Sequence, residues 1–102
     1  MSDPVNADRP LAVPTVQIDD DRVIVTEWRF APGAHTGWHQ HAHPYVVVPM
    51  TTGTLAMDTL DGPRTADLAA GVAYTRDAGI EHDVINANAT EFVFVEIEIK
   101  RG

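Results

Sequence analysis

Apolar and polar residues alternate with a period of two along most of this chain. Residues 22–31 set Ile24, Thr26, Trp28 and Phe30 on one face and Val23, Val25, Glu27 and Arg29 on the other, the pattern of a half-buried strand. Residues 91–99 repeat it, with Val93, Val95, Ile97 and Ile99 on one side and Phe92, Phe94, Glu96 and Glu98 on the other. Residues 45–50 are apolar on both faces, as in an interior strand, although Pro49 lacks a donor and calls for an edge or a bulge there. Further strands are expected over residues 37–43, 54–60, 64–68, 72–75 and 81–86. Asp61-Gly62 is a hairpin signal between the second and third of these. Asp19, Asp20 and Asp21 read as a solvated turn before the first convincing strand, and no stretch carries an apolar stripe of helical period.

Short strands with turn signals between them predict an all-β fold, a barrel or jelly roll. Composition supports this: Val, Ile and Thr supply 28 residues and Leu four, a bias toward side chains that suit a pleated surface. With 102 residues the chain is long enough for one domain. Residues 1–14, with Pro4, Pro10 and Pro14, are expected to form an arm, and residues 15–102 the barrel. No cysteine is present, which excludes disulfides, a thiol nucleophile and thiolate metal ligands. A formal charge of −8 argues against a nucleic-acid partner, which needs a basic face. No apolar run is long enough to span a bilayer. The start Met1-Ser2-Asp3-Pro4 has neither a basic nor an apolar stretch, so no signal peptide and a cytoplasmic location are expected.

Four of the five histidines fall within nine residues, at positions 35, 39, 41 and 43, and the fifth is His82. On a strand, residues two apart share a face, so His39, His41 and His43 are expected to point together, with Tyr45 next in line. Imidazole nitrogens suit borderline divalent metals. A pair of histidines two apart needs a further ligand from elsewhere in the chain, and isolated strand histidines are common without any metal.

The stretch from Gly33 to Gly53, with His39 and His41 inside it, resembles the first cupin motif, G-x5-H-x-H-x(3,4)-E-x6-G. The stretch from Gly71 to Asn86, with Gly79 and His82, resembles the second, G-x5-P-x-G-x2-H-x3-N, with Asp77 in place of its proline. The fuller text of residues 32–55, 73–87 and 91–100 is similar to a subgroup of small single-domain cupins linked to β-alanine degradation. The resemblance implies a cupin barrel and a metal set of His39, His41 and His82. It departs from the family at the glutamate of the first motif, where Tyr45 or Val46 stands according to the spacer counted. A site of three histidines that leaves positions for water, O2 or substrate is what the resemblance then implies, with Fe2+, Zn2+, Ni2+ or Mn2+ as the candidate ion.

Around this site, Tyr45 is the candidate catalytic group, as a ligand or a hydrogen-bond donor to substrate. His43 and Arg76 are the candidate substrate-binding residues; Arg pairs with a carboxylate through two hydrogen bonds. Trp38 should point away from His39 and pack. Glu96 and Glu98 are expected on a solvated rim or an interface, the alternative being that Glu96 faces the barrel as a base or a partner of a histidine. Gly33, Gly53, Gly71 and Gly79 read as turn or close-approach positions. The functional expectation is a small metal-binding cupin, an oxygenase or an isomerase or lyase acting on a small polar molecule. The alternatives are a non-catalytic module that binds a small ligand or metal, and an interaction protein with an incidental histidine cluster. The resemblance also implies a homodimer, formed through sheet edges.

Overall fold

The computed structural model describes residues 9–101. Nine strands form two antiparallel sheets: β1 (Val13–Asp19), β2 (Val23–Phe30), β3 (His39–Gln40), β4 (Tyr45–Pro49), β5 (Gly53–Thr59), β6 (Gly62–Leu68), β7 (Tyr74–Arg76), β8 (Glu81–Asn86) and β9 (Phe92–Ile99). One sheet runs β1-β2-β9-β4-β7 and the other β3-β8-β5-β6. This is the expected all-β jelly roll. No helix among the described residues is long and apolar enough to cross a membrane.

The two sheets share one core. Phe30, Tyr45, Val47, Phe92 and Phe94 come from the first and Leu55 and Val84 from the second. The period-two reading of β2 and β9 holds. Thr26 and Phe30 are buried on β2, and the register sets Trp28 opposite Phe94 and Phe30 opposite Phe92. Rings from both strands meet in the core, with Phe30 and Phe94 centroids 5.4 Å apart.

Several boundaries differ from expectation, each for a local reason. β1 begins at Val13, within the stretch expected as an arm, and Ala12 belongs to the core. Periodicity missed this strand because all seven of its residues are exposed, leaving no buried face to imprint a pattern. Residues 1–8 of the expected arm lie outside the described residues. The acidic turn is confirmed: the Asp20 carboxylate accepts the backbone N–H of Arg22 and Val23 at 2.8 and 2.9 Å, and Lys100 pairs with Asp19. Pro49 sits at the end of an interior strand. The missing donor does no harm there because β7 pairs only with Tyr45, Val46 and Val47.

The far ends of the two motifs meet at one residue, Asn88. Buried Asn86 gives its amide to the carbonyls of Phe30, Ala31 and Thr90 at 3.1, 3.2 and 2.9 Å. Its Oδ1 accepts the backbone N–H and the side-chain amide of Asn88 at 2.9 and 2.7 Å. Asn88 in turn accepts from Thr54 N–H and donates to Thr54 C=O, both at 2.9 Å. A Cβ on Gly53 would lie 2.6 Å from Asn88 Oδ1, so a larger residue there would displace the Asn88 side chain from its hydrogen bonds to Thr54 and Asn86; the position favours glycine through a side-chain approach rather than an unusual φ.

Candidate metal centre

β3 is much shorter than expected, only His39 and Gln40, because the chain bends at Ala42 and His43. Cross-strand pairing takes over the job of alternation. His39 stands directly opposite His82 on β8, so the two imidazoles emerge side by side. His41 lies beyond the end of β3. It is pinned to the turn before β8, donating its backbone N–H to Ile80 C=O at 2.9 Å and accepting Gly79 N–H at 2.8 Å. Gly79 has φ +91°, a conformation open mainly to glycine, which lets the turn fold back onto His41. Backbone hydrogen bonds between the motifs thus deliver the third ring.

Three imidazole nitrogens converge. His39 Nε2 and His41 Nε2 are 3.0 Å apart, and His41 Nε2 and His82 Nε2 are 3.2 Å apart. One nitrogen atom of each ring falls within 4.8 Å of the others. The rings are steeply inclined, at 77°, 65° and 85° to one another. His39 Nδ1–H donates to Gly37 C=O at 2.9 Å. A carbonyl only accepts, so His39 Nε2 presents a bare lone pair. His41 Nε2 has close contacts to two ring nitrogens but can donate at most one proton. A cation at the point of convergence resolves that conflict. Two ligands ~2.1 Å from one ion lie about 3.0 Å apart at a right angle and about 3.4 Å apart at the tetrahedral angle, which brackets the observed separations. The three residues fit a divalent metal.

Electrostatics point the same way. Burial, then the neighbouring His39 and His82, lowers the His41 pKa to about 4. Burial, then His39 and Arg76, lowers that of His82 to about 4. Both rings are therefore neutral at pH 7, the form that binds metal.

Behind His39 lies a buried pair that the sequence did not reveal. His35 Nδ1 is 3.0 and 3.1 Å from the two carboxylate oxygens of Asp83, and Asp83 also accepts Gly37 N–H at 3.0 Å. This anchors the loop whose carbonyl orients His39. Asp83 follows His82 directly and so points to the other side of β8, away from the triad.

Two of the three, His39 and His82, line a pocket of about 480 Å³, a volume that includes open solvent at its mouth. Trp28, Val47, Leu55, Met57, Val84 and Phe94 supply apolar wall, and Tyr45, Tyr74, Arg76 and Glu96 the polar groups. Tyr45 is the inward residue of the ambiguous pair, 3% exposed, whereas Val46 on the same strand is only half-buried. The Tyr45 ring stacks on His41 with centroids 3.9 Å apart, and burial raises its pKa, so the phenol keeps its proton. Arg76 is exposed on the pocket's lining, its guanidinium 4.6 Å from the Tyr74 ring centroid. His43 lines neither the triad nor the pocket; the bend that shortens β3 turns it out of the row. Trp38 points away from the triad as expected and donates to Glu81 at 3.3 Å, but it is 50% exposed and, against expectation, does not pack into the core.

The expected solvated rim is corrected at Glu96. It is 7% exposed and lines the pocket, with Oε2 4.0 Å from His41 Nε2. Burial, then Glu98, raises its pKa to about 7, opposed by the Trp28 indole beside it. That indole N–H meets no acceptor within hydrogen-bond geometry. The available signal was the shared face of Phe92, Phe94 and Glu96: two core aromatics in register imply that the third member is also inside.

With the geometry established, comparison with known proteins gives the family. A cupin-domain family model matches residues 26–98. The chain belongs to the cupin family. A curated relative, the β-alanine degradation protein BauB of Pseudomonas aeruginosa, is 67% identical over 92 residues, covering 90% of this cupin and 97% of that protein. A crystal structure of a cupin domain from Bordetella pertussis is 64% identical, with a TM-score of 0.90, covering 91% of this chain and 97% of that one. The polyketide cyclase RemF of Streptomyces resistomycificus shares the fold at 19% identity, with a TM-score of 0.69 over 99% of this chain and 80% of its own.

Proposed function

We propose that this cupin is a metal-dependent enzyme acting on a small carboxylate, with His39, His41 and His82 holding Fe2+, Zn2+, Ni2+ or Mn2+. The observation that carries this reading is the convergence of three imidazole nitrogens, two of the contacts at 3.0 and 3.2 Å, beside an apolar-walled pocket that His39 and His82 line. A bound divalent ion would polarise a substrate oxygen, or, as iron, support chemistry with O2. Arg76 is the group to hold a carboxylate: among the described residues no acid pairs with it, and the molecule's net charge of −8 makes such a local cation necessary for an anionic ligand. Tyr45, protonated and stacked on His41, would donate a hydrogen bond to the same ligand. The apolar walls shield the buried Tyr45 side of the pocket from water, which strengthens a hydrogen bond made there.

The name of the P. aeruginosa relative ties that protein to β-alanine degradation, so short carboxylates formed in that process are the first substrates to try. Metal-loaded protein should consume one of them, followed by NMR with and without O2. R76Q should raise KM about tenfold or more while changing kcat less, because a charged pair to a carboxylate contributes roughly 1.5–3 kcal/mol. If a carboxylate raises the melting temperature and is never consumed by any metal-loaded form, the protein is a binding module instead.

We infer further that the protein is a homodimer. β1 is an edge strand whose seven residues are all exposed, and Leu11, Val13, Val16 and Ile18 present apolar side chains to solvent. An unpaired apolar edge is satisfied by a symmetry-related copy of itself. Sedimentation equilibrium should show about twice the chain mass of 11.1 kDa; a purely monomeric species across micromolar concentrations contradicts this.

A further inference from the structure

The first motif lacks its glutamate, and Tyr45 fills the inward position where that acid would stand. One strand away, β9 brings a carboxylate into the same pocket. Glu96 is opposite Val47 on β4 and opposite Thr26 on β2, neither of which offers a charge. Among the described residues its only ion-pair contact is the 4.0 Å approach to His41. That distance exceeds a hydrogen bond.

The atom it approaches is decisive. A carboxylate that merely orients a metal-binding histidine docks on the nitrogen facing away from the metal. Glu96 approaches His41 Nε2, the nitrogen that faces His39 and His82. It therefore lies on the ligating side of the ring. A buried carboxylate without a cation is costly, and here the place for a cation is the convergence point of the triad. As the side chain stands, Glu96 is outside the convergent donor set, and a change of its flexible torsions is what would carry the oxygen toward the ion. Resting on the metal-centre reading above, we propose that Glu96 is the carboxylate ligand of this centre, supplied by the last strand in place of the first motif's missing acid.

The test uses the metal alone as probe. Wild type, E96Q and the double variant H39Q/H82Q are titrated with Zn2+ and Co2+ in competition with a chromophoric chelator, and Co2+ absorption spectra are recorded. E96Q should bind roughly 10- to 100-fold more weakly than wild type and show a shifted Co2+ spectrum. Equal affinity and an unchanged spectrum in E96Q overturn the proposal while leaving the triad intact. Loss of tight binding in H39Q/H82Q but not in wild type shows that the triad reading holds; a wild type that binds neither ion takes both readings down. Should E96Q fail to fold, a crystal structure of the Zn2+-loaded wild type decides. A Glu96 oxygen ~2.0–2.2 Å from the ion supports the assignment, and one beyond hydrogen-bond length refutes it.

Discussion

Replacing His39 and His82 together by Gln is expected to weaken divalent metal binding by at least about 10³-fold, roughly 4 kcal/mol, with the fold retained. The two residues face each other across β3 and β8, so the double change removes both from one side of the site and leaves His41 as the sole imidazole. One imidazole is a poor chelator of a divalent ion, whether or not a carboxylate assists it. The fold should survive because the strand pairing that positions these residues is carried by the backbone, and Gln is close in size to the half-buried His39 and the buried His82. Isothermal titration with Zn2+, alongside far-UV circular dichroism, checks both parts. Equal affinity in the variant would place the metal elsewhere or nowhere.

The second large effect is one of stability. Asn86 is buried, gives its amide to three backbone carbonyls and accepts two hydrogen bonds from Asn88. N86A leaves these partners unmatched, some of them inside the protein, and each buried unsatisfied group costs roughly 1–3 kcal/mol. Part of the set can reach water, so a loss of about 3–4 kcal/mol is expected. For a domain near 100 residues that lowers Tm by roughly 12–30 °C. N86D keeps the acceptor but turns a second carboxylate oxygen toward the three carbonyls in a buried place, so at pH 7 it should be at least as destabilising as N86A. Thermal unfolding followed by circular dichroism measures this, and a Tm within a few degrees of wild type would contradict the role assigned to Asn86.

These three residues show how the sequence could be read and where it could not. The spacing of His39, His41 and His82 in the paired motifs identified the triad, although alternation along a long strand, the first reason for grouping His39 with His41, was not how the structure achieves it. The chain bends after His41, and hydrogen bonds to Ile80 and Gly79 set that ring. His43 was misplaced by the same assumption. β2 and β9 were legible because one face of each is more deeply buried than the other, and β1 was not because it has no buried face. Glu96 was read as a rim residue because charge usually means solvent. Its face was correctly assigned with Phe92 and Phe94, but the decision between rim and pocket depends on where along the barrel the strand ends, a three-dimensional fact. Gly53 and Asn86 were visible as motif positions, yet their reason, a shared contact with Asn88, lies outside both motifs.

The central claim is that this cupin is built around a metal ion. Elemental analysis of protein purified without chelator or affinity metal tests it most directly. The account predicts a single divalent ion per chain, removed by prolonged dialysis against a strong chelator and restored on adding the metal back, with a higher Tm in the loaded form. Protein that carries only traces of metal, takes up none when offered Fe2+, Zn2+, Ni2+ or Mn2+, and melts at the same temperature in their presence would contradict it.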